Sequence, residues 1–260
     1  MLDFFKAIRL PNVILVALAQ MLILGQCDCF NFENILLVIL TSLWIMWGNI
    51  DNDIKDLELD SNFKNKPNNE FIQWLNKKSR ALLLEQNLLV LSISISLFIS
   101  IKAVLLTILA WSCLKFYNLY FKKMPLIGNL VIAFLCMASL HVFHFDKTMD
   151  LNIVSILIFS STLLRELVKD KEDEKADKAC GYKTIAIICE PFVFKTILFC
   201  LGIFTSYLAY LYLHNYHFIF IGYLIMQLWQ MYYIYFEKWN RASLLIKLQI
   251  MLGVIMIGFI

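Results

Sequence analysis

Charged residues are scarce in this chain. Asp, Glu, Lys and Arg make up 17% of its 260 residues, hydrophobic residues make up 60%, and the mean hydropathy is +0.71. A water-soluble domain carries about a quarter charged residues, so a single soluble core is excluded. Strand-like alternation of apolar and polar residues is also missing. The apolar runs are uninterrupted, which excludes a transmembrane barrel and leaves helices, the other architecture that satisfies its backbone in lipid. A strong charge of one sign is lacking too, and a net +3 gives no argument for a nucleic-acid partner. The seven cysteines lie mostly inside apolar spans and make no disulfide framework. Cys27 and Cys29 are the one close pair, with no His or further Cys nearby in sequence to complete a metal or redox centre. No Gly/Ser-rich or Pro-rich stretch divides the chain, so one membrane domain over 1–260 is expected. Lys6 and Arg9 precede an apolar stretch, as in a signal peptide, but no small-residue cleavage site follows. In Leu24-Gly25-Gln26-Cys27, Gln26 stands where a lipoprotein box needs a small residue, so the first span is expected to stay in the mature protein.

What the chain does have is apolar runs of membrane-crossing length, about 17–25 residues. They fall near 10–27, 33–50, 82–101, 103–121, 126–145, 151–168, 192–213, 216–236 and 242–260. The expected architecture is therefore all-α and polytopic, with about nine transmembrane helices. If the spans alternate, one side receives the N-terminus and the links after spans two, four, six and eight. All of the 23 basic residues except Lys102 and Lys147 then fall on that side or on the span ends beside it. The excess of Lys and Arg marks it as cytoplasmic. Its two longest links, 51–81 and 169–191, carry the acidic segments.

Those segments hold a large share of the 20 carboxylates. The first runs from Gly48 to Asp60 and the second from Arg165 to Asp177, and each follows directly on a membrane-length run. In the first, Asn52, Asp56 and Asp60 recur every fourth residue. In the second, Asp173 and Asp177 do the same. On a helix this spacing stacks side chains on one face, one turn above the next. Like charges about 4 Å apart repel by roughly 4 kcal/mol at a surface-like dielectric, so carboxylates placed this way call for a cation. Magnesium takes one or two carboxylates and leaves its other positions to water and substrate phosphate. The pair of segments therefore points to a site for Mg2+ and a diphosphate at the membrane surface. Lys122 and Lys123 at the end of span four, with Arg165, Lys169 and Lys183 around the second segment, could neutralise a departing diphosphate. Taken singly, each segment reads equally well as a solvated loop or an exposed helix face. Taken together on one side, at two span ends, they favour a site.

The same residues resemble a known family, the UbiA superfamily of intramembrane prenyltransferases. Asn52, Asp56 and Asp60 match its Asn-x-x-x-Asp-x-x-x-Asp motif, with Asp53 completing the frequent Asn-Asp pair. Asp173 and Asp177 match its Asp-x-x-x-Asp motif, preceded by Lys169-Asp170 and followed by Gly181-Tyr182-Lys183-Thr184. Ile8-Arg9-Leu10-Pro11-Asn12 is similar to its opening Arg-x-x-Asn. Tyr117 to Lys123 and Pro125-Leu126-Ile127-Gly128-Asn129 are similar to its middle region, and Asn65-Lys66-Pro67 to the stretch after its first motif. The chain departs from the pattern at Asn49-Ile50-Asp51, a second Asn/Asp pair just before the motif, and at Asn68-Asn69.

The resemblance implies a helical bundle around a central cavity, binding an isoprenyl diphosphate with Mg2+. It implies Asn52, Asp53, Asp56, Asp60, Asp170, Asp173 and Asp177 as metal ligands, with Asp56, Asp173, Tyr117 and Lys122 central to catalysis. Arg9, Asn12, Lys122, Lys123, Arg165, Lys169 and Lys183 are then substrate-binding, and the Tyr117 ring faces an allylic cation. Within the family the chain is most similar to the geranylgeranylglycerol-phosphate geranylgeranyltransferase branch, which implies a lipid acceptor; an aromatic acceptor of quinone biosynthesis is the alternative. A cation transporter would instead need carboxylates in mid-span, and these are almost absent: Glu85 and Glu190 lie near span ends. His141 and His144, like His214 and His217, are three apart but fall on the outer side, where packing or interfacial roles are expected. The aromatic residues of the last three spans read as membrane-belt and packing chemistry.

Overall fold

The computed structural model describes residues 2–57, 69–76, 80–142 and 149–257. Among them are thirteen α-helices and no strand. The chain divides into two compact units, Met1–Phe121 and Lys122–Phe259.

The first unit contains α1 (Leu2–Ala7), α2 (Leu10–Gln26), α3 (Phe32–Lys55), α4 (Glu70–Leu75), α5 (Arg80–Ile99) and α6 (Ile101–Leu119). Local chemistry sets several starts. The Asn31 side chain accepts the Asn34 N–H, Asn69 accepts that of Ile72 and Ser100 that of Ala103, each relieving a backbone donor that the first turn leaves open. Pro11 sits in the first turn of α2, where its missing N–H costs nothing. α3 is the centre of this unit and packs against α2, α5 and α6. Trp47 of α3 stacks on Trp111 of α6, with centroids 5.4 Å apart and planes 11° apart. Thr41 donates to Gln20 at 2.8 Å, tying α3 to α2. Ser100 alone links α5 to α6, and Ser96 and Thr107 meet across that pair at 2.6 Å.

A 3-10 turn, Phe121–Lys123, spans the division in the chain, and the second unit contains α7 (Ile127–Ala138), α8 (Met149–Glu172), α9 (Glu174–Ala179), α10 (Ile185–Ile188), α11 (Pro191–Leu213), α12 (His217–Tyr235) and α13 (Trp239–Ile257). Here α8 is central and packs against α7, α11 and α13. Leu164, Leu167 and Val168 of α8 share a buried cluster with Phe194, Leu198, Ile234, Ala242 and Ile246. Polar side chains join the last three helices. Gln249 donates to Gln227 at 2.9 Å, and Gln227 donates to the Gly202 carbonyl at 3.3 Å.

Each expected span is occupied by a helix. Five (α3, α5, α6, α8 from Leu151, and α11) are long and apolar enough to cross a membrane, and α2 and α7 are shorter apolar helices. Among the described residues of the expected span 126–145, the helix is the 12-residue α7, which stops at Ala138. Large apolar side chains such as Phe98, Phe192 and Phe218 are about four-fifths exposed or more, which in water would be unstable and in lipid is the ordinary outer face. The protein is an integral membrane protein. All seven cysteines are free.

Candidate active site

Residues 48–55 of the first acidic segment form the end of α3, and three side-chain rows occupy its last two turns and the Asp56 cap. One row faces the α1–α2 corner. Asn49 donates to the Ile8 carbonyl at 3.0 Å, and Arg9 donates to Asp53 at 2.9 Å. Arg9 makes that corner with left-handed backbone, φ 51° and ψ 52°, a conformation that a side chain disfavours by about 1–2 kcal/mol. Asn12 stands on the first turn of α2, half-buried, its N–H on the Arg9 carbonyl at 2.8 Å.

A second row is ionic and rests on a buried carboxylate. Asp51 accepts Lys55 at 2.6 Å and Asn118 at 2.7 Å, with the Lys115 ammonium 3.9 Å from its other oxygen. Lys115 in turn donates to both oxygens of Glu85, at 2.6 and 2.7 Å, and lies 5.8 Å from the Trp47 ring. Sequence reading assigned none of Lys55, Lys115 and Asn118 a role and placed Glu85 only as an end-of-span carboxylate. Lys115 and Glu85 lie 30 residues apart and Asn118 and Asp51 67 apart, beyond what local spacing reveals, whereas Lys55 is one turn from Asp51, a local signal.

The third row is Asn52 and Asp56, whose side chains meet at 3.2 Å. Asp56 caps α3 and is 5% exposed. The expected third member, Asp60, lies outside the described residues. Tyr117 is half-buried on α6, one residue from Asn118.

In the second unit, the second acidic segment runs through the end of α8 and along α9. The Asp173 N–H donates to the Lys169 carbonyl at 2.8 Å and that of Asp177 to the Asp173 carbonyl at 3.0 Å. α8 stops at Glu172 and α9 starts anew at Glu174 with Asp173 as its N-cap, and the bond from Asp177 to Asp173 sets these two residues one turn apart. Asp177 is 7% exposed. After α9, Gly181 takes φ 71° and the Tyr182 N–H returns to the Asp177 carbonyl at 2.9 Å, a left-handed helix end that suits glycine.

Arg165, Lys169 and Lys123, named from sequence, already have side-chain partners. Arg165 donates to Glu166 at 2.7 Å and Lys169 lies 3.6 Å from the other oxygen of Glu166. Glu166 is a buried carboxylate that sequence reading passed over, although its i,i+3 relation to Lys169 is a local signal. Asp170 accepts the Asn129 amide at 3.0 Å. The Lys183 N–H bonds the Lys123 carbonyl at 3.2 Å, and the Lys123 ammonium lies 5.7 Å from the Tyr182 ring. Lys122 occupies the 3-10 turn beside Lys123. Lys171 and Lys178 both bind Glu174, at 2.8 and 2.5 Å. Partial burial pushes the Glu174 carboxyl up, but the two lysine hydrogen bonds outweigh this and leave it below the ordinary glutamate value.

Among the described residues, no three His, Cys, Asp or Glu side chains converge on one point as a metal cage. Each acidic segment instead offers a pair of oxygen-bearing side chains one turn apart, Asn52 with Asp56 and Asp173 with Asp177. Hard oxygen donors in small number suit Mg2+, which retains water and substrate phosphate in its remaining positions.

Residues 13–251 match the UbiA prenyltransferase family. The chain belongs to that family. It is accordingly a prenyltransferase. Among similar curated proteins is the digeranylgeranylglyceryl phosphate synthase of Sulfurisphaera tokodaii, 30% identical over 82% of this chain and 80% of that protein. The enzyme of the same name from Methanocaldococcus jannaschii is 30% identical over 80% of this chain and 75% of its own length. A solved structure of digeranylgeranylglyceryl phosphate synthase in membranes superposes with a TM-score of 0.74 at 22% identity, covering 99% of this chain and 98% of that one. A UbiA homologue from Archaeoglobus fulgidus, solved with GPP and Mg2+, has a TM-score of 0.64 at 15% identity and covers 99% of this chain and 100% of that one. At these identities the solved structures establish the family's helical fold.

Proposed function

We propose that the chain transfers an isoprenyl group from a polyprenyl diphosphate such as geranylgeranyl diphosphate to a membrane lipid acceptor of the geranylgeranylglycerol-phosphate type, releasing diphosphate in a Mg2+-dependent reaction. One observation carries this reading. In each unit two oxygen-bearing side chains stand one turn apart at or just beyond the end of a helix of membrane-crossing length, Asn52 with Asp56 and Asp173 with Asp177. The names of the curated relatives support the acceptor.

In this proposal the C1–O bond of the donor breaks, diphosphate leaves, and the acceptor hydroxyl oxygen bonds C1 with loss of its proton. Magnesium, when bound, supplies the positive charge that allows a diphosphate to sit among carboxylates and to leave. In the first unit Asn52, Asp56 and Asp60 would hold it, with Asp53 beside them, and in the second Asp173 and Asp177 would hold it, with Asp170 beside them, in each case directly or through water. Lys122, Lys123, Lys183, Arg165 and Lys169 balance charge on the diphosphate, the last two from their station on Glu166. Arg9 and Asn12 border the substrate, Arg9 as the partner of Asp53. The Tyr117 ring offers its face to positive charge developing at C1. Residues 1–260 act as one prenyltransferase domain. The distribution of Lys and Arg supports placing the N-terminus and the links 51–81 and 169–191 on the cytoplasmic side of the cell's inner membrane.

The test is transfer of radiolabelled geranylgeranyl groups by purified protein in lipid, with and without Mg2+, to geranylgeranylglycerol phosphate and to hydroxy-aromatic acids. Mg2+-dependent labelling of the glycerol-phosphate lipid is expected. Labelling of the aromatic acids alone would replace the acceptor, and no labelling of either would refute the reading.

A further inference from the structure

Successive residues of an α-helix turn by about 100°. On that geometry the Asn52/Asp56 row of α3 lies between two others: the 51/55 row about 100° to one side and the 49/53 row about 60° to the other. Both flanking rows are tied to other parts of the unit. The 49/53 row is held by the Ile8 carbonyl and Arg9. The 51/55 row is held by Asn118 and Lys115 of α6, and Lys115 is itself gripped by Glu85 of α5.

The second tie is the more demanding. Asp51 is almost fully buried, its side chain 7% exposed, and that of Glu85 is 19% exposed. Two carboxylates, Asp51 and Glu85, face two ammonium groups, Lys55 and Lys115, so the network is neutral as a whole. Every contact in it fixes a direction. Lys55 reaches back one turn along α3, Asn118 spans from Asp51 to the Gly48 carbonyl at 3.4 Å, and Lys115 bridges two helices. The Lys55 and Lys115 side chains remain 26% and 38% exposed, so the network adds little net stability, but its contacts to the buried Asp51 carboxylate specify one arrangement. Here it specifies the rotation of the last turn of α3 about its axis.

We propose that Lys115 is a positioning residue: with Asp51 and Asn118 it fixes the direction in which Asn52 and Asp56 present their oxygens to a divalent cation. The inference rests on the metal-binding reading of Asn52 and Asp56 given above. Lys115 touches neither cation nor substrate in this role. It acts through Asp51, the neighbour of Asn52.

The experiment measures Mn2+ binding to the full-length protein in lipid by electron paramagnetic resonance, in the presence of a non-reactive geranylgeranyl thiodiphosphate, together with the thermal midpoint. Lys115→Leu alone would strand Glu85, so it is combined with Glu85→Leu, which leaves Asp51 and Lys55 as a balanced pair. This double variant is expected to bind Mn2+ roughly tenfold or more weakly, the usual effect of losing a residue that orients a metal ligand, while it melts as a folded protein. Lys115→Arg is expected to retain most of the affinity. Asn118→Leu, which changes no charge, is expected to weaken binding in the same direction and serves if the double variant does not fold. Asp56→Ala is the control. If it abolishes Mn2+ binding while the double variant and Asn118→Leu bind like the parent, the positioning role is overturned and the metal site stands. If Asp56→Ala binds Mn2+ unchanged, the metal reading falls and this inference with it.

Discussion

Asn129 donates its amide N–H to Asp170 across 3.0 Å, tying the start of α7 to the last full turn of α8. The contact joins the Gly128-Asn129 pair to the Lys169-Asp170 pair. Both were singled out in the sequence, 41 residues apart, without any indication that they touch. Removing the amide leaves a largely buried carboxyl group short of a donor. Asn129→Ala is expected to lower unfolding stability by about 1–3 kcal/mol, measured by denaturation in detergent. The Asn129→Ala/Asp170→Ala pair should cost less than the sum of its single variants, and strict additivity would show that the bond is not an energetic partner.

Asp56→Ala and Asp173→Ala are each expected to reduce prenyl transfer by roughly 100-fold or more, the scale of losing one fixed electrostatic partner of a developing charge. Both proteins should still insert into membranes and elute as folded species. Near-normal turnover of either would remove that residue from the chemistry.

Chelation should stop transfer, and added Mg2+ should restore it. Hard oxygen donors favour Mg2+ or Mn2+ over softer ions, so Mn2+ should substitute at least in part. Activity that persists in excess chelator after extensive dialysis would contradict the proposed carboxylate roles.

Gly202 and Gly222 should respond in opposite ways to alanine. A Cβ at Gly202 would collide with the Met231 methyl and lie 2.8 Å from Gln227 Nε2, the group that donates to the Gly202 carbonyl. A cost of about 1–3 kcal/mol is expected, as for overpacking elsewhere. A Cβ at Gly222 meets nothing within 4 Å. There alanine should be neutral or stabilising by up to about 1 kcal/mol, since glycine is the poorer helix former. Thermal midpoints of the two variants decide the matter.

Local signals in the sequence were well suited to some features and blind to others. Apolar run length located the helices, because lipid demands that length and little else. Fourfold spacing located Asn52 with Asp56 and Asp173 with Asp177, because a helix turns once in 3.6 residues. It could not separate Asp51, Asn52 and Asp53, three neighbouring polar residues that the fold sends to three different partners. Asp51 goes to α6, Asn52 to Asp56, and Asp53 to Arg9. Lys115 was hidden for a different reason. A lysine near a span end reads as one that stretches toward the interface, and only tertiary packing reveals that it turns to Glu85. The run 126–145 misled in length, since apolar composition continues past Ala138 while the helix stops there.

The Glu85–Lys115 bridge also constrains how the protein is made. The two residues are 30 positions apart, on helices joined by Ser100. Handed to lipid alone, either helix would carry a charge with no counterpart. During synthesis the first of the pair is therefore expected to wait beside the insertion machinery until the second has emerged, so that the two enter the bilayer as a hairpin with their charges already matched.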